Sequence, residues 1–303
     1  MASTVHRAPL ALAAALLGSA LAASGCGAGG GGSAAESPSP TPSASPTQSP
    51  RPPEVPAPGD HKLVLDRDGS EVGFELHAPP RYRPGQKLPL VVAIHYRGGD
   101  VSKMRQMTRL DAKADKEGFL IAYPCCGSAE DDGDVRAMVE HLIQRWDADP
   151  HRVYATGMSA GAQTAVDLAV EAPGLFAAIA PVSGGFRSTV AADDPAYKPS
   201  RPVSVISFIG TEDFAADALE NGLDKWRRKL GCVTGKPAGV DSGRTINRTA
   251  ARCADGSEVV GYTISGMGHA WPGGTQAGPG DPTVKLNTVD LIWAFFKAHP
   301  RRG

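Results

Sequence analysis

The sequence predicts an α/β domain with a mostly parallel central sheet and helices on both faces. Residues 60–303 are long enough for one such domain with a full core. Apolar runs typical of buried strands alternate with helical patterns, as in βα repeats. Polar residues follow several of these strands, where open α/β sheets carry their chemistry. The predicted strands are residues 90–94, 118–124, 152–156, 177–182, 202–209 and 258–264, and the predicted helices are residues 131–146, 162–170 and 215–230.

The first 25 residues have the pattern of an export signal. Arg7 supplies a positive charge, and residues 8–21 form an apolar run that is too short for a stable transmembrane anchor. Ala-Ser-Gly-Cys at positions 23–26 resembles a bacterial lipobox, which implies cleavage before Cys26 and a lipid on its sulfur. The alternative is ordinary secretion after an Ala-x-Ala cleavage site at positions 20–22.

Residues 26–59 are rich in glycine and then in serine, threonine and proline. Such a segment cannot bury a core, so we predict a disordered tether before a folded domain in residues 60–303. As polyproline-like chain, residues 38–58 could span about 65 Å at ~3.1 Å per residue. The alternative is a spacer with no length requirement.

Gly-Met-Ser-Ala-Gly at positions 157–161 fits the Gly-x-Ser-x-Gly nucleophile elbow. A predicted strand runs into this motif and a predicted helix runs out of it. The serine of an elbow sits at a sharp strand-to-helix turn, where bulky neighbours would clash. The motif therefore predicts an α/β-hydrolase fold with Ser159 as the nucleophile. Ser183, which also follows a strand, is the other serine to consider.

A nucleophilic serine needs a base, and the base needs an orienting acid; this fold supplies them in the order Ser, Asp or Glu, His. Asp213 follows strand 202–209 and His269 follows strand 258–264, so both lie at the carboxyl ends of strands. Glu212 is the rival acid. Taken singly, Asp213 could be a turn residue and His269 a hydrogen-bonded loop histidine, but their order and placement favour a Ser159–Asp213–His269 triad.

Three segments resemble those of polyhydroxybutyrate depolymerase and feruloyl esterase-type hydrolases. Gly-His-Ala-Trp-Pro-Gly-Gly at positions 268–274 is similar to their Gly-His-x-Trp-Pro-Gly signature, and Ile-Gly-Thr-Glu-Asp at 209–213 to their acid loop. Residues 149–154 before the elbow are also similar, and the resemblance covers residues 60–298. It implies esterase activity on acyl or aryl esters, often at the end of a polymer.

The expected oxyanion hole uses two backbone N–H groups, from Ala160 after the serine and from Tyr96 after strand 90–94. Tyr96 replaces the glycine typical of the family, and its side chain could crowd the hole or narrow the acyl pocket. His95 is a candidate substrate residue, although orienting this loop is the favoured role. Trp271 could stack on substrate or simply pack in the core. The loop after residue 124 is shorter than the family's, which leaves one rim of the site open.

Five cysteines suit an exported protein. With Cys26 lipidated, a Cys232–Cys253 bridge would brace the segment between the acid and the base, worth about 3 kcal/mol. The adjacent Cys125 and Cys126 could form a strained bridge or remain thiols.

A net charge of −1 without a basic patch argues against nucleic-acid binding. The histidines show no metal-ligand spacing, so we expect neither a metal nor a cofactor. Only residues 184–201 separate two strands where a cap would insert, which predicts little or no cap domain and a site suited to bulky or polymer-linked esters. We expect a monomer held at the membrane by the lipid on Cys26. A peptidase, an acyltransferase and a non-catalytic binding lipoprotein are the alternatives.

Overall fold

The computed structural model describes residues 54–125, 132–186, 193–243 and 245–302. The predicted signal segment, most of the tether, Cys26 and Cys126 lie outside these residues. The compact unit that contains the described residues starts at Pro53, a few residues before the predicted boundary at 59 and 60. Glu54 already belongs to it, because its carboxylate accepts hydrogen bonds from the Trp146 indole and the His141 ring.

In the described part of the chain, one large sheet contains eleven strands and a second sheet contains two. The strands are β1 (Gly59–Arg67), β2 (Ser70–Ala78), β3 (Leu88–Ile94), β4 (Leu120–Pro124), β5 (Ala148–Met158), β6 (Ala178–Val182), β7 (Ser204–Gly210), β8 (Val233–Thr234), β9 (Ala238–Gly239), β10 (Ile246–Arg252), β11 (Glu258–Ile264), β12 (Trp271–Pro272) and β13 (Gly280–Asp281). The helices are α1 (Val101–Thr108), α2 (Leu110–Glu117), α3 (Asp132–Arg145), α4 (Ala160–Glu171), α5 (Ala216–Lys229) and α6 (Thr288–Ala298).

The centre of the large sheet is parallel and its margins are antiparallel. The strand order is β1-β2-β4-β3-β5-β6-β7-β11-β10-β8, with β9 also pairing with β10. The six strands from β4 to β11 in this order pair in parallel, whereas the β1–β2, β2–β4 and β10–β11 pairs are antiparallel. The predicted fold class, a mostly parallel sheet in an α/β arrangement, is confirmed.

Both faces of the central sheet are buried. Along β3, Leu90, Val92 and Ile94 join one apolar cluster, while Val91 and Ala93 join the other. Because alternate residues of a strand point to opposite faces, a strand buried on both sides must be apolar throughout, which explains why these strands were recognisable in the sequence. Helices α3, α4 and α5 cover the first face, and α1, α2 and α6 cover the second.

A short hairpin extends the sheet at one margin. Strands β1 and β2 are joined by Asp68 and Gly69, with φ angles of 53° and 85°. Two successive left-handed residues form the type of turn whose twist matches an antiparallel pair, and Asp-Gly is a favoured sequence for it. The hairpin lies far from the predicted triad in strand order.

A disulfide joins Cys232 to Cys253, as the sequence predicted. It connects the end of helix α5 to the end of strand β10. Cys125 is half-buried and its N–H donates to the Gly73 carbonyl. No helix within the described residues is long and apolar enough to cross a bilayer.

Candidate active site

Ser159 lies at the turn between strand β5 and helix α4, in a strained backbone conformation. Its φ of 54° and ψ of −113° are unusual for a residue with a side chain. A Cβ on Gly157 would approach the Gly161 carbonyl oxygen to 2.4 Å, and a Cβ on Gly161 would approach the Ile94 oxygen to 2.3 Å. Close backbone packing therefore requires both glycines. The turn presents a half-buried Ser159 at the carboxyl end of the central strand β5.

The predicted acid and base are in direct contact. The Nδ1 atom of His269 lies 2.8 Å from Oδ2 of Asp213. The Asp213 side chain has no exposed surface, and its Oδ1 accepts a hydrogen bond from the Ala215 N–H at 2.9 Å. A carboxylate oxygen at this distance favours the imidazole tautomer with its proton on Nδ1, which would leave Nε2 as the acceptor.

Glu212, the rival acid, faces a different direction. Its side chain is exposed, whereas that of Asp213 is buried against the imidazole. The backbone explains the difference, because the Glu212 N–H donates to the Met267 carbonyl at 2.9 Å and fixes the loop. The geometry favours Asp213 as the residue that orients His269.

The acid loop and the base loop are joined by backbone contacts. The Thr211 N–H donates to the Ile264 carbonyl at 2.9 Å, and the Gly266 N–H donates to Thr211 Oγ1 at 2.9 Å. A Cβ on Gly210 would lie 2.1 Å from the Met267 oxygen, so only glycine permits this approach. The two loops consequently hold Asp213 and His269 as one unit.

Ser183 has a structural role at this site. It also has a positive φ, 45°, but it is only 1% exposed and its hydroxyl donates to the Ala270 carbonyl at 2.8 Å. This hydrogen bond anchors the residue that follows His269. A buried hydroxyl that is already a donor is a poor candidate for the nucleophile, which leaves Ser159 as the better one.

Two backbone donors are available where the oxyanion hole was predicted. Neither the Ala160 N–H nor the Tyr96 N–H donates to another group in the described part of the chain. The Tyr96 ring lies against Gly99, and its hydroxyl lies so close to Gly278 that a Cβ there would be 2.4 Å away. The ring packs between these glycines and does not line the pocket beside Ser159, so the expected narrowing of that pocket is not seen.

The two predicted substrate residues have different environments. The Nδ1 atom of half-buried His95 lies 3.0 Å from the Tyr96 carbonyl oxygen, which suits the orienting role. Trp271 is 1% exposed and belongs to the apolar cluster on one face of the sheet. This burial favours the packing alternative over stacking on substrate.

A polar pocket of about 220 Å³ adjoins Ser159, the candidate nucleophile. Gln163 and Asp167 lie one turn apart on α4, and the Gln163 amide donates to both Asp167 oxygens at 2.9 and 3.0 Å. Burial raises the pKa of Asp167, although hydrogen bonds from Tyr197 and Gln163 act against this rise. The lining residues are Arg97, Asp132, Ser159, Ala160, Gln163, Thr164 and Asp167. Sequence reasoning missed this pocket, whose only signal was a pair of polar residues at i, i+4 after the elbow.

One cluster of acidic and histidine side chains has the composition of a metal site, but the Arg105 side chain contacts its carboxylates. Ligand atoms of Asp60, His77 and Asp111 lie within 4.8 Å of one another. The Arg105 guanidinium lies 2.8 Å from Asp60 and 3.2 Å from Asp111, so it forms an ion pair with both carboxylates. Both ring nitrogens of His77 also contact carboxylates, so these residues form an ion-pair network with Arg105.

Known proteins resemble the chain in both sequence and fold. Residues 125–209 match the family described as Esterase PHB depolymerase. A protein of Nocardia uniformis subsp. tsuyamanensis named "Putative esterase NocK" is 29% identical over 75% of this chain and 80% of its own length. Feruloyl esterase B of Piromyces equi is 24% identical over 63% of this chain, and the match covers 41% of that protein.

Among solved structures, an acetyl xylan esterase from Aspergillus awamori superimposes with a TM-score of 0.60. It is 20% identical and covers 78% of this chain and 99% of its own. At this identity the likeness concerns the fold alone. These matches confirm the α/β-hydrolase fold and the resemblance to polyhydroxybutyrate depolymerase and feruloyl esterase-type hydrolases.

Proposed function

We propose that the chain is a serine esterase that hydrolyses carboxylic esters through an acyl-enzyme. The observation that carries this proposal is the His269 Nδ1 to Asp213 Oδ2 contact of 2.8 Å, made by two loops at the same sheet edge as the strained Ser159 elbow. The names of the relatives support it independently.

In this mechanism Ser159 Oγ attacks the ester carbonyl while His269 Nε2 takes its proton. Asp213 stabilises the imidazolium, and the N–H groups of Ala160 and Tyr96 hold the oxyanion. His269 then protonates the departing alcohol, and water resolves the acyl-enzyme by the same steps in reverse.

We further propose that the physiological esters carry their bulk on the alcohol side, as in esters linked to a polymer. A pocket of about 220 Å³ beside Ser159 suits a small acyl group, since pockets for drug-sized ligands begin near 300 Å³. Its polar lining favours a small acyl group that also carries a hydrogen-bonding atom, as a hydroxyalkanoyl group does. The short connection between β6 and β7, residues 183–203, supports an open site without a large cap.

Turnover by the purified full-length chain tests the proposal. The substrates are p-nitrophenyl acetate and butyrate, methyl ferulate, short-chain polyhydroxybutyrate and a peptide anilide. We expect ester hydrolysis that Ser159→Ala abolishes, with labelling of Ser159 by a serine-directed phosphonate. Cleavage of the anilide alone would favour a peptidase, absence of turnover on every substrate would favour a binding lipoprotein, and labelling of Ser183 would overturn the nucleophile assignment.

A further inference from the structure

Phe214 is an exposed aromatic residue beside the candidate base. Its side chain is 76% exposed, although it directly follows the buried Asp213. Its ring centroid lies 4.5 Å from that of His269, with the planes tilted by 38°. The other large apolar side chains with comparable exposure in the described residues are valines. Single exposed apolar residues are common, so the position of Phe214 matters more than its exposure.

The chemistry determines which part of an ester passes Phe214. If His269 protonates the leaving alcohol, the alcohol oxygen must come within hydrogen-bond distance of the imidazole. Groups attached to that oxygen then lie within reach of a ring that contacts the same imidazole at 4.5 Å. The face of Phe214 that does not touch His269 remains open to solvent, because most of the side chain is exposed.

The acyl group has a separate place. The pocket beside Ser159 is lined from the β3 side by Arg97 and from the start of α3 by Asp132, and it includes neither His269 nor Phe214. In the strand order, β3 lies on one side of β5, and β6, β7 and β11 lie on the other side. The acid and base loops follow β7 and β11. The acyl and alcohol portions therefore meet different surfaces, the first polar and the second aromatic.

We propose that Phe214 is the binding platform for the leaving alcohol and selects alcohols with a flat apolar face. An aromatic alcohol and the C–H face of a sugar ring share this chemistry. The proposal rests on the proposed esterase function and adds the specificity of its alcohol side. It assigns to Phe214 the substrate contact that the sequence had suggested for the buried Trp271.

Esters that differ only in the alcohol test this platform in the full-length protein. The pairs are 2-naphthyl butyrate against ethyl butyrate, and an acetylated methyl β-xyloside against ethyl acetate. For Phe214→Ala we expect kcat/KM to fall about five- to tenfold on the naphthyl or xyloside ester and less than about twofold on the ethyl esters. Phe214→Trp should preserve the preference. Val233→Ala, which removes an equally exposed apolar side chain on β8, is the matched control and should change neither ratio.

The outcomes separate the possible roles. A loss of kcat/KM on the naphthyl ester alone identifies an aromatic alcohol, and a loss on the xyloside alone identifies a sugar. Either result supports the platform. An equal loss on ethyl and flat-faced esters would overturn it, because Phe214 would then act only by holding His269. No change on any ester would overturn it as well. Turnover of the ethyl esters by the wild type shows that the proposed function stands even when the platform fails, whereas no turnover of any ester refutes both.

Discussion

At the scale of single residues, the candidate site depends on side chains that neighbours in sequence cannot replace. Asp213 is buried against His269 while Glu212 is exposed, although the two are adjacent and chemically similar. Ser159 and Ser183 each follow a strand and each have a positive φ, yet Ser183 is buried whereas Ser159 is partly exposed. Burial and direction, which follow from the backbone hydrogen bonds of each loop, distinguish members of these pairs.

Asp213→Asn should leave the fold intact and severely reduce kcat. An asparagine offers His269 a donor as well as an acceptor, and so favours the wrong imidazole tautomer. The corresponding change in the trypsin-type triad lowers kcat about 10⁴-fold, and we expect a loss of the same order. The measurement is kcat on p-nitrophenyl butyrate, with thermal unfolding to verify the fold.

Glu212→Gln is the matched control for that substitution and should change kcat less than about threefold, because surface substitutions away from functional contacts are mild. Its side chain is exposed and the loop is held by backbone atoms. A large loss in Glu212→Gln with a mild effect of Asp213→Asn would refute the acid assignment but not the esterase function.

At the scale of elements, the parallel core was predictable and the margins were not. Strands buried on both faces are continuous apolar runs, so β3, β4, β6, β7 and β11 stood out in the sequence. Strand β10, Ile246–Arg252, is half-exposed and mixed in composition, and it owes its conformation to pairing with β11. The β1–β2 hairpin did have a local signal in Asp68-Gly69.

The candidate triad was predictable for a related reason, whereas its surroundings were not. An elbow motif and two polar residues after strands lie at one sheet edge in any parallel sheet. Whether the Trp271 ring faces core or substrate, and whether Phe214 is covered, depends on how loops pack after the sheet has formed. The motif at positions 268–274 singled out Trp271 but did not predict whether its side chain points to the core or to the substrate.

The segment before β1 contributes to the stability of the folded unit. Glu54 accepts a hydrogen bond from the buried Trp146 indole, and removing a partner from a buried donor costs about 1–3 kcal/mol. We therefore expect Glu54→Ala to lower the free energy of unfolding by that amount in urea titrations. Glu171→Ala, at the exposed end of α4, should lie within about 0.5 kcal/mol of wild type. Equal stability of the two variants would show that the Glu54 contact does not persist in solution.

The ion-pair network between the hairpin and helices α1 and α2 should make stability depend on pH. Burial lowers the pKa of His77, but hydrogen bonds to Asp115 and Asp60 outweigh it, so the pKa is raised. A histidine with a raised pKa in the folded state contributes its full stabilisation below its unfolded pKa, near 6.5, and loses it as pH rises through the folded value. Arg105, which contacts both Asp60 and Asp111, completes the network.

We expect His77→Gln to be destabilising at pH 5.5 and less so at pH 8.5, with a difference of about 1 kcal/mol. Urea unfolding of both proteins at the two pH values measures it. The same substitution at the exposed His151 is the control for replacing a histidine by glutamine. A destabilisation by His77→Gln that is constant with pH would mean that only packing of the ring matters.

At the scale of the whole molecule, we propose that the chain places its esterase domain outside the cytoplasm and tethers it to a membrane. The described residues contain no helix able to cross a bilayer. In this proposal, the lipid that the Ala-Ser-Gly-Cys sequence at positions 23–26 predicts would hold the protein at the membrane. The tether before Glu54 would then determine how far from the membrane surface an ester can be reached.

Cys26→Ser tests this arrangement in a bacterial host that processes lipoproteins. A serine lacks the sulfur that receives the diacylglyceryl group, so the variant should leave the membrane fraction or accumulate as an unprocessed precursor. Each buried CH₂ of an acyl chain contributes about 0.8 kcal/mol, and two chains suffice for stable attachment. Wild type should therefore resist extraction by high salt and be released by detergent.

Cys125→Ser is the control, because it changes a cysteine within the folded domain and should leave the protein in the membrane fraction. Esterase activity per mole of processed protein should be equal in the wild type and in Cys26→Ser, since the lipid and the candidate triad lie in separate parts of the chain. The mature N-terminus of the wild type gives the decisive reading by mass spectrometry. A lipidated Cys26 supports the anchor, whereas an unmodified chain that begins at Ala23 means cleavage after the Ala-x-Ala site and ordinary secretion.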